Sequence, residues 1–222
     1  MAAGEKPFVI KVGGTLIPRY AGEVCRVVQA SRQHFEMTVV PGGGEFVDLL
    51  KKYRIAYEVA AESAYAIALL AMQQNAFLLK DLGGLALVWS LEEARAKMEL
   101  GLVPVFAPSN RDLDPALFGD PDMYELSSDA VAAYCALALR GGLIKVTDVD
   151  GIYDRDPHVY SDAVLLNETS AEELVDRTCF DTGTPRIISK YEIPAWVVNG
   201  KVPDRIRQVM AGELFVGTTL RL

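Results

Sequence analysis

The sequence predicts an α/β sandwich built around a mainly parallel sheet. Seven short runs rich in Val, Ile and Leu are apolar throughout, as is typical of strands that are buried on both faces. Segments with helical periodicity separate these runs, and regular alternation of strands and helices indicates a parallel sheet. The 222 residues are enough for one large domain or two closely packed lobes.

The predicted elements follow one another without repeats or low-complexity tracts. In chain order the strands are PFVIKV, MTVVP, LALVW, VPVFAP, GLIKVTD, AWVVN and GTTLRL. The helical segments cover residues 21–34, 45–53, 56–80, 91–99, 128–140, 170–176 and 203–211. Ser127 or Ser128, and Ser170, are suited to cap the helices that follow them, and Pro203 is placed like the first residue of a helix.

The longest predicted loop covers residues 108–127 and is rich in Pro, Asp and Asn. Long loops inside compact domains are often functional. We expect this loop to separate an N-terminal lobe from a C-terminal one.

Composition narrows the class of partner. A net charge of −8 argues against nucleic-acid binding, which calls for a basic face, but local glycines, helix ends and single lysines can still hold anions. Cys25, Cys135 and Cys179 are odd in number and far apart, which favours a reduced intracellular protein. The most apolar run, AIALLAM, is too short to cross a bilayer. We expect a cytoplasmic protein with no membrane or nucleic-acid partner.

Three glycine-bearing loops, KVGGT, VVPGGGEF and VTDVDGIY, follow predicted strands. Ligands gather at the carboxyl ends of strands in such sheets, where glycines let backbone N–H groups approach phosphate oxygens and the next helix adds its positive end. One such loop is more often only a tight turn, but three of them favour phosphate binding. The P-loop pattern is absent, and GxGxxG fails because Val47 stands at its third glycine.

Lys11 interrupts the first apolar strand directly before a glycine loop. Its ammonium could neutralise charge on a phosphoryl group in transfer. The alternative is a lysine that runs along a strand edge, although an apolar strand would then more simply carry Val. Asp129 is either a carboxylate favoured by its helix start or an acid that orients Lys11 and the glycine loops, and residue type leaves both open.

The segment TDVDGIYDRDP carries four aspartates, Asp148, Asp150, Asp154 and Asp156. Their spacing is not that of a calcium loop, and the sequence by itself assigns no residue as a metal ligand. Tyr153 could supply a flat face for a purine or simply pack. His34 and His158 match no metal or nucleophile pattern, and we expect both at the surface.

Five strings, IKVGG, VVPGGGEF, SSDAVAAY, TDVDGIYDRDP and GTTL, occur in an order that resembles the amino acid kinase superfamily. That family includes acetylglutamate, aspartate, uridylate and isopentenyl phosphate kinases. The resemblance spans nearly the whole chain. It implies a three-layer α/β/α sandwich and a single kinase domain, with an acceptor-binding lobe at 1–125 and a lobe for ATP and Mg²⁺ at 126–222. It also implies a homo-oligomer.

The resemblance implies a role for each matching residue. Lys11 would stabilise the moving phosphoryl group, and Asp129 would orient the catalytic lysines. The nucleotide side would be formed by Gly13, Gly14, Gly44, Thr147, Asp148, Tyr153 and Asp156. The acceptor side would be formed by Gly42, Gly43, Ser127 and Ser128.

One region departs from the family pattern. Many members carry a second lysine after a glycine-rich turn and a proline, whereas this chain reads DTGTPRIISKY. Arg186 follows the proline here and could cradle phosphate. Lys190 is the nearby lysine and is predicted as the second catalytic cation.

The strings PGGGEF, AIALLAM, TDVDGIYD and WVVNGKVPDRI resemble a branch of small kinases of methanofuran and methylofuran biosynthesis. This implies that the acceptor is aminomethylfuran methyl phosphate, which becomes a diphosphate. Its ammonium would need an acid, and the candidates are Glu45, Asp48, Glu58 and Glu62. Alternatives are UMP, isopentenyl phosphate or an amino-acid carboxylate as acceptor, or a nucleotide-binding protein of this fold that catalyses nothing.

Overall fold

The computed structural model describes residues 6–17, 19–109, 127–174, 180–181 and 183–221. The predicted loop at 108–127 therefore lies almost wholly outside the described residues. The same holds for the lobe boundary at 125/126 and for Cys179.

One mainly parallel sheet organises the described part of the chain. Its strands and those of a small hairpin are β1 (Phe8–Val12), β2 (Met37–Pro41), β3 (Ala86–Val88), β4 (Pro104–Phe106), β5 (Gly142–Thr147), β6 (Ile152–Tyr153), β7 (Leu165–Leu166), β8 (Glu168–Ser170), β9 (Ala195–Asn199) and β10 (Thr218–Arg221). The main sheet has eight strands in the order β3-β4-β2-β1-β5-β9-β10-β8, and β6 pairs with β7. All seven predicted strands are present. The short strands β6, β7 and β8 were not predicted.

The mainly parallel arrangement is confirmed, and two strands of the main sheet, β8 and β10, run opposite to the others. Strand β10 pairs antiparallel with β9 and parallel with β8, whereas β1, β2, β4, β5 and β9 run in one direction. Their carboxyl ends therefore meet at one edge of the sheet. This edge carries the glycine loops after β1 and β2 and the aspartate-rich loop after β5.

Helices cover both faces of the sheet. They are α1 (Ala21–Ser31), α2 (Gly44–Tyr57), α3 (Ala61–Gly83), α4 (Leu91–Glu99), α5 (Ser128–Leu139), α6 (Thr184–Lys190) and α7 (Asp204–Met210). Ser127 caps α5, because its hydroxyl accepts hydrogen bonds from the N–H groups of Asp129 and Ala130. Pro203 precedes the first turn of α7 and does not open the helix as predicted.

One predicted helix is only a short turn in its described part, and one helix was not predicted. The segment 170–176 forms only a 3-10 turn over Glu172–Leu174 in its described part, and Ser170 with Glu173 caps that turn. Helix α6 was not predicted, because it is short and begins at Thr184-Pro185.

The core is divided by the sheet into two clusters, and strand periodicity decides which side each residue joins. On β1, Val9 lies on the face that α5 covers and Ile10 on the opposite face. On β5, Leu143 and Ile144 divide in the same way. Lys11 and Lys145 follow Val9 and Leu143 by two residues, so their side chains also point toward α5. No helix in the described ranges is long and apolar enough to span a membrane.

Candidate active site

Two buried lysines share one carboxylate at the carboxyl edge of the sheet. Lys11 of β1 and Lys145 of β5 are register partners on adjacent parallel strands. The Nζ atom of Lys11 lies 2.7 Å from Oδ1 of Asp129, and that of Lys145 lies 2.5 Å from Oδ2. The three residues are only 5–7% exposed, so their charges interact with little screening by solvent.

Asp129 is held as a carboxylate by this arrangement. Burial by itself would raise its pKa, but the charges of Lys11 and Lys145 and their hydrogen bonds outweigh burial and lower the pKa to about 2. The structure favours the interpretation in which Asp129 orients Lys11. Asp129 lies at the start of α5, but it also binds the ammonium groups of Lys11 and Lys145. An ammonium has three N–H donors, so one carboxylate oxygen does not exhaust Lys11.

Lys145 was not predicted as a site residue, although the sequence carries the pattern that would have identified it. It stands in LIKVT as Lys11 stands in VIKVG, a single cation inside an apolar strand. The argument that selected Lys11 applies equally to Lys145. The ring of buried Phe180 contacts its ammonium at 4.4 Å from the ring centroid.

Lys190, which was predicted as the second catalytic cation, is not one of the two lysines that contact Asp129. Lys190 is exposed at the end of α6, where its ammonium lies 5.0 Å from the centroid of the Tyr191 ring. Arg186 is exposed in the same helix. The lysine that joins Lys11 on Asp129 is Lys145.

The first two glycine loops pack directly against each other. A Cβ on Gly14 would lie 2.4 Å from the backbone nitrogen of Gly44, and one on Gly42 would lie 2.7 Å from that of Gly14. Gly44 has a φ of +55°, in the left-handed region that glycine tolerates. Only glycine allows this approach, which brings the start of α2 against the loop after β1.

Gly13 and Gly42, which were predicted to contact substrates, donate their backbone N–H groups to carbonyl oxygens of the protein itself. The N–H of Gly13 donates to the carbonyl of Val146, and the N–H of Gly42 donates to that of Val12. The buried amide of Asn75 donates to the Gly42 carbonyl at 2.7 Å. Their N–H groups therefore serve to join the loops to neighbouring strands.

A cavity of about 770 Å³ opens beside these loops. Gly43, Ser127 and Ser128, predicted for the acceptor side, line it together with Gly14 and Gly44, which were predicted for the nucleotide side. Gly13 and Gly42 are not among its lining residues. Side chains from α2 and α3 complete the wall. They include the apolar Leu50, Leu69 and Met72 and the charged Glu45, Asp48, Lys51 and Arg54. The cavity is thus lined by glycines and serines, by apolar side chains and by charged side chains.

A second cavity, of about 170 Å³, lies in the loop after β5. All four residues predicted there line it, namely Thr147, Asp148, Tyr153 and Asp156. His158 also lines it, with Nε2 lying 3.8 Å from Oδ2 of Asp148. Thr147 follows Lys145 by two residues and lies on the same face of the strand. The cavity therefore begins two residues along β5 from Lys145.

Comparisons with known proteins agree with this geometry. Residues 6–199 match the model of the amino acid kinase family. The 5-(aminomethyl)furan-3-yl methyl phosphate kinase of Methanocaldococcus jannaschii is 24% identical over 208 residues, covering 92% of this chain and 93% of that protein. The uridylate kinase of the same organism is 26% identical and covers 92% and 95%. The crystal structure of uridylate kinase from Archaeoglobus fulgidus superposes with a TM-score of 0.78, at 24% identity, over 97% of this chain and all of that one.

Proposed function

The chain belongs to the amino acid kinase family, and from that premise we propose that it transfers the γ-phosphoryl group of ATP to a small acceptor that is itself a phosphate monoester. The observation that carries the proposal is the pair of buried lysines, Lys11 and Lys145, on the single carboxylate of Asp129. Cations fixed on rigid strands stabilise negative charge without reorganisation during the reaction.

The acceptor oxygen attacks the γ-phosphorus, and the bond from that phosphorus to the bridging oxygen of ADP breaks. A phosphate monoester is already anionic, so the reaction needs no strong general base. This agrees with a lysine cluster in which Asp129 remains ionised. Lys11 and Lys145 neutralise the equatorial oxygens, and alignment of the two substrates supplies the rest.

Two cavities would hold the two substrates. The cavity of Thr147, Asp148, Tyr153 and Asp156, with a volume of about 170 Å³, takes part of the nucleotide, and the cavity beside Gly43 and the α5 start takes the acceptor. Residues 1–125 then form most of the acceptor lobe, and 126–222 the ATP lobe. Ser127 and Ser128 of the second lobe reach the acceptor at the junction.

The site fits ATP with Mg²⁺. The glycines of the first two loops keep side chains out of this end of the acceptor cavity, so phosphate oxygens could approach the backbone there. Mg²⁺ is usually bound by substrate phosphates together with one or two carboxylates, which Asp148 and Asp156 would supply. Bound there, the ion would neutralise phosphate charge.

For the acceptor we propose aminomethylfuran methyl phosphate. Its phosphate would lie at the glycine end of the acceptor cavity, its ring against Leu50 and Leu69, and its ammonium among the charged side chains. Of the four candidate acids, Glu45 and Asp48 line this cavity. Asp48 is paired with Lys51 at 3.0 Å, so Glu45 is the favoured partner. The kinase from M. jannaschii named above supports this choice.

Uridylate kinase is the second candidate. A cavity of about 770 Å³ also suits a nucleoside monophosphate, and Arg54 in its wall could bind one. A coupled assay of ADP release, run with the furan phosphate, UMP, isopentenyl phosphate and an amino acid, separates the candidates. We expect the highest kcat/KM with the furan phosphate. Rapid turnover of UMP and none of the furan phosphate would overturn this acceptor, and ATP binding without transfer would indicate a protein that only binds nucleotide.

We also propose that the protein forms a homo-oligomer. Apolar side chains of α2 and α3 are exposed, among them Leu49, Tyr53, Ile67 and Leu70. Such a face is suited to a subunit contact. Sedimentation equilibrium of the wild type and of a Leu70→Glu variant tests it: a wild type that sediments as a monomer would contradict the proposal.

A further inference from the structure

A cluster of three polar residues joins the aspartate-rich loop to the helix that follows β9. Nη1 of Arg205 lies 2.5 Å from Oδ1 of Asp150. The amide nitrogen of Asn199 donates to the same oxygen at 2.9 Å. These residues, called the Asp150 cluster below, come from the loop after β5, the end of β9 and the first turn of α7.

The orientation of Asn199 is fixed by its second contact. Its side-chain oxygen accepts a hydrogen bond from the N–H of Lys201 at 2.9 Å, so its NH₂ group must face Asp150. The strand ends are joined as well, because the N–H of Gly200 donates to the carbonyl of Thr147 at 2.7 Å. The amide donor that Asn199 offers to Asp150 is therefore oriented by a contact within the segment that follows β9.

Asp150 stands behind the nucleotide cavity. Its two chain neighbours, Val149 and Gly151, line the cavity, and Asp150 is not among the lining residues. Gly151 is confined from the other side, where a Cβ would lie 2.6 Å from the hydroxyl oxygen of Thr218. That oxygen accepts the N–H of Ile152 at 2.8 Å. The loop is thus held between Arg205 on one side and Thr218 on the other.

Arg205 is the more buried partner of this contact. Its side chain is 14% exposed, against 38% for Asp150 and 38% for Arg207 in the same helix. Hydrogen bonds from Asn199 and then from Arg205 lower the pKa of Asp150. Two donors, one of them charged, therefore hold a single carboxylate oxygen.

We propose that Arg205, through Asp150, is a positioning residue for ATP: it holds the loop 147–158 in the shape that receives the nucleotide. The inference rests on the nucleotide role proposed above for this loop. Arg205 does not line the cavity and touches none of Lys11, Asp129 and Lys145 among the contacts of the described residues. Its loss should therefore affect nucleotide binding more than the transfer step.

The test compares Arg205→Met with Arg207→Met, a matched control that removes an exposed arginine from the same helix. Steady-state kinetics give KM for ATP and kcat, calorimetry gives the Kd of a non-hydrolysable ATP analogue, and hydrogen exchange follows the loop in the nucleotide-free protein. For Arg205→Met we expect KM and Kd to rise about tenfold or more, with kcat within about threefold, and exchange in 147–158 to quicken. Arg207→Met should change none of these.

Two further variants exclude a merely structural effect and guard against loss of folding. Arg205→Lys should restore most of the nucleotide affinity. Asp150→Ala combined with Arg205→Met should cost no more than Asp150→Ala alone, because Asp150→Ala already removes the contact with Arg205 together with that of Asn199.

The outcomes distinguish this inference from the proposed function. If the wild type binds the analogue and Arg205→Met binds it equally well, the positioning role is wrong and the kinase proposal stands. If kcat falls with KM unchanged, the role is also wrong. If the wild type itself binds no adenine nucleotide, the proposed function fails and the positioning role fails with it.

Discussion

Lys11 and Lys145 stand opposite each other in register on two adjacent parallel strands, and Asp129 binds the ammonium of each through a separate oxygen. The carboxylate keeps two like charges close together at the one edge of the sheet where the glycine loops lie. The predictions below follow from this relationship and from the cavities beside it.

The first prediction separates Lys145 from Lys190. Lys145→Met should lower kcat by about 10²–10³, the usual cost of removing one group that stabilises transition-state charge. Lys190→Met is the matched control and should remain within about twofold. Steady-state kinetics with ATP and the best acceptor measure both. A large loss of kcat in Lys190→Met together with a normal kcat in Lys145→Met would mean that the second catalytic cation is Lys190 of α6 and not Lys145.

Asp129 should make the fold sensitive to acid in a defined range. Its folded-state pKa is about 2, below its ordinary value of 3.8, so the stability it contributes is complete above about pH 4 and is lost as the pH falls toward 2. Denaturant unfolding of the wild type and Asp129→Asn should show a difference in unfolding free energy that narrows over this range. A difference independent of pH would contradict the ion-pair cluster. The exposed change Asp81→Asn serves as control and should leave the unfolding free energy unchanged.

Gly14 should tolerate no side chain. A Cβ there would meet backbone atoms of Gly44 at 2.4 and 2.5 Å, and backbone cannot move aside as a flexible side chain can. We expect Gly14→Ala to cost about 1–3 kcal/mol of unfolding free energy and to abolish most turnover. Gly22→Ala, where nothing lies within 4 Å, should be neutral or stabilising by up to about 1 kcal/mol. Equal stability of the two variants would mean that the loops do not pack as described.

Glu45 should decide whether an ammonium on the acceptor is recognised. Glu45→Gln should raise KM for the furan phosphate about fivefold, as expected for an exposed ionic contact, and leave KM for UMP unchanged. Glu62→Gln, outside the residues that line the cavity, is the control. An unchanged KM for the furan phosphate in Glu45→Gln would remove Glu45 from the proposal.

Much of this site follows from local sequence. Lys11 could be predicted because a cation inside an apolar strand is unusual. An acid at a helix start is common, so the role of Asp129 was predicted only from the resemblance to the kinase family. Glycine-bearing loops directly after predicted strands indicated that the site lies at the carboxyl edge of the sheet. Thr147, Asp148, Tyr153 and Asp156 were grouped correctly, since a short loop keeps chain neighbours together in space.

The remainder depends on contacts that are distant in the chain. The pairing of Lys145 with Lys11 requires β1 and β5 to be neighbours, and the strand order cannot be read from the order along the chain. Helix α6 was missed because seven residues give too little periodicity, although Asp181 accepts the Thr184 N–H as a cap. The antiparallel strand β10 likewise carries no local mark of its direction.

The most direct test of the central claim is the turnover of Lys11→Ala, measured beside its affinity for an ATP analogue. The account predicts a loss of several orders of magnitude in kcat with nucleotide binding retained, because Lys11 acts on the phosphoryl group in transfer. Near-normal kcat in Lys11→Ala would contradict the mechanism outright.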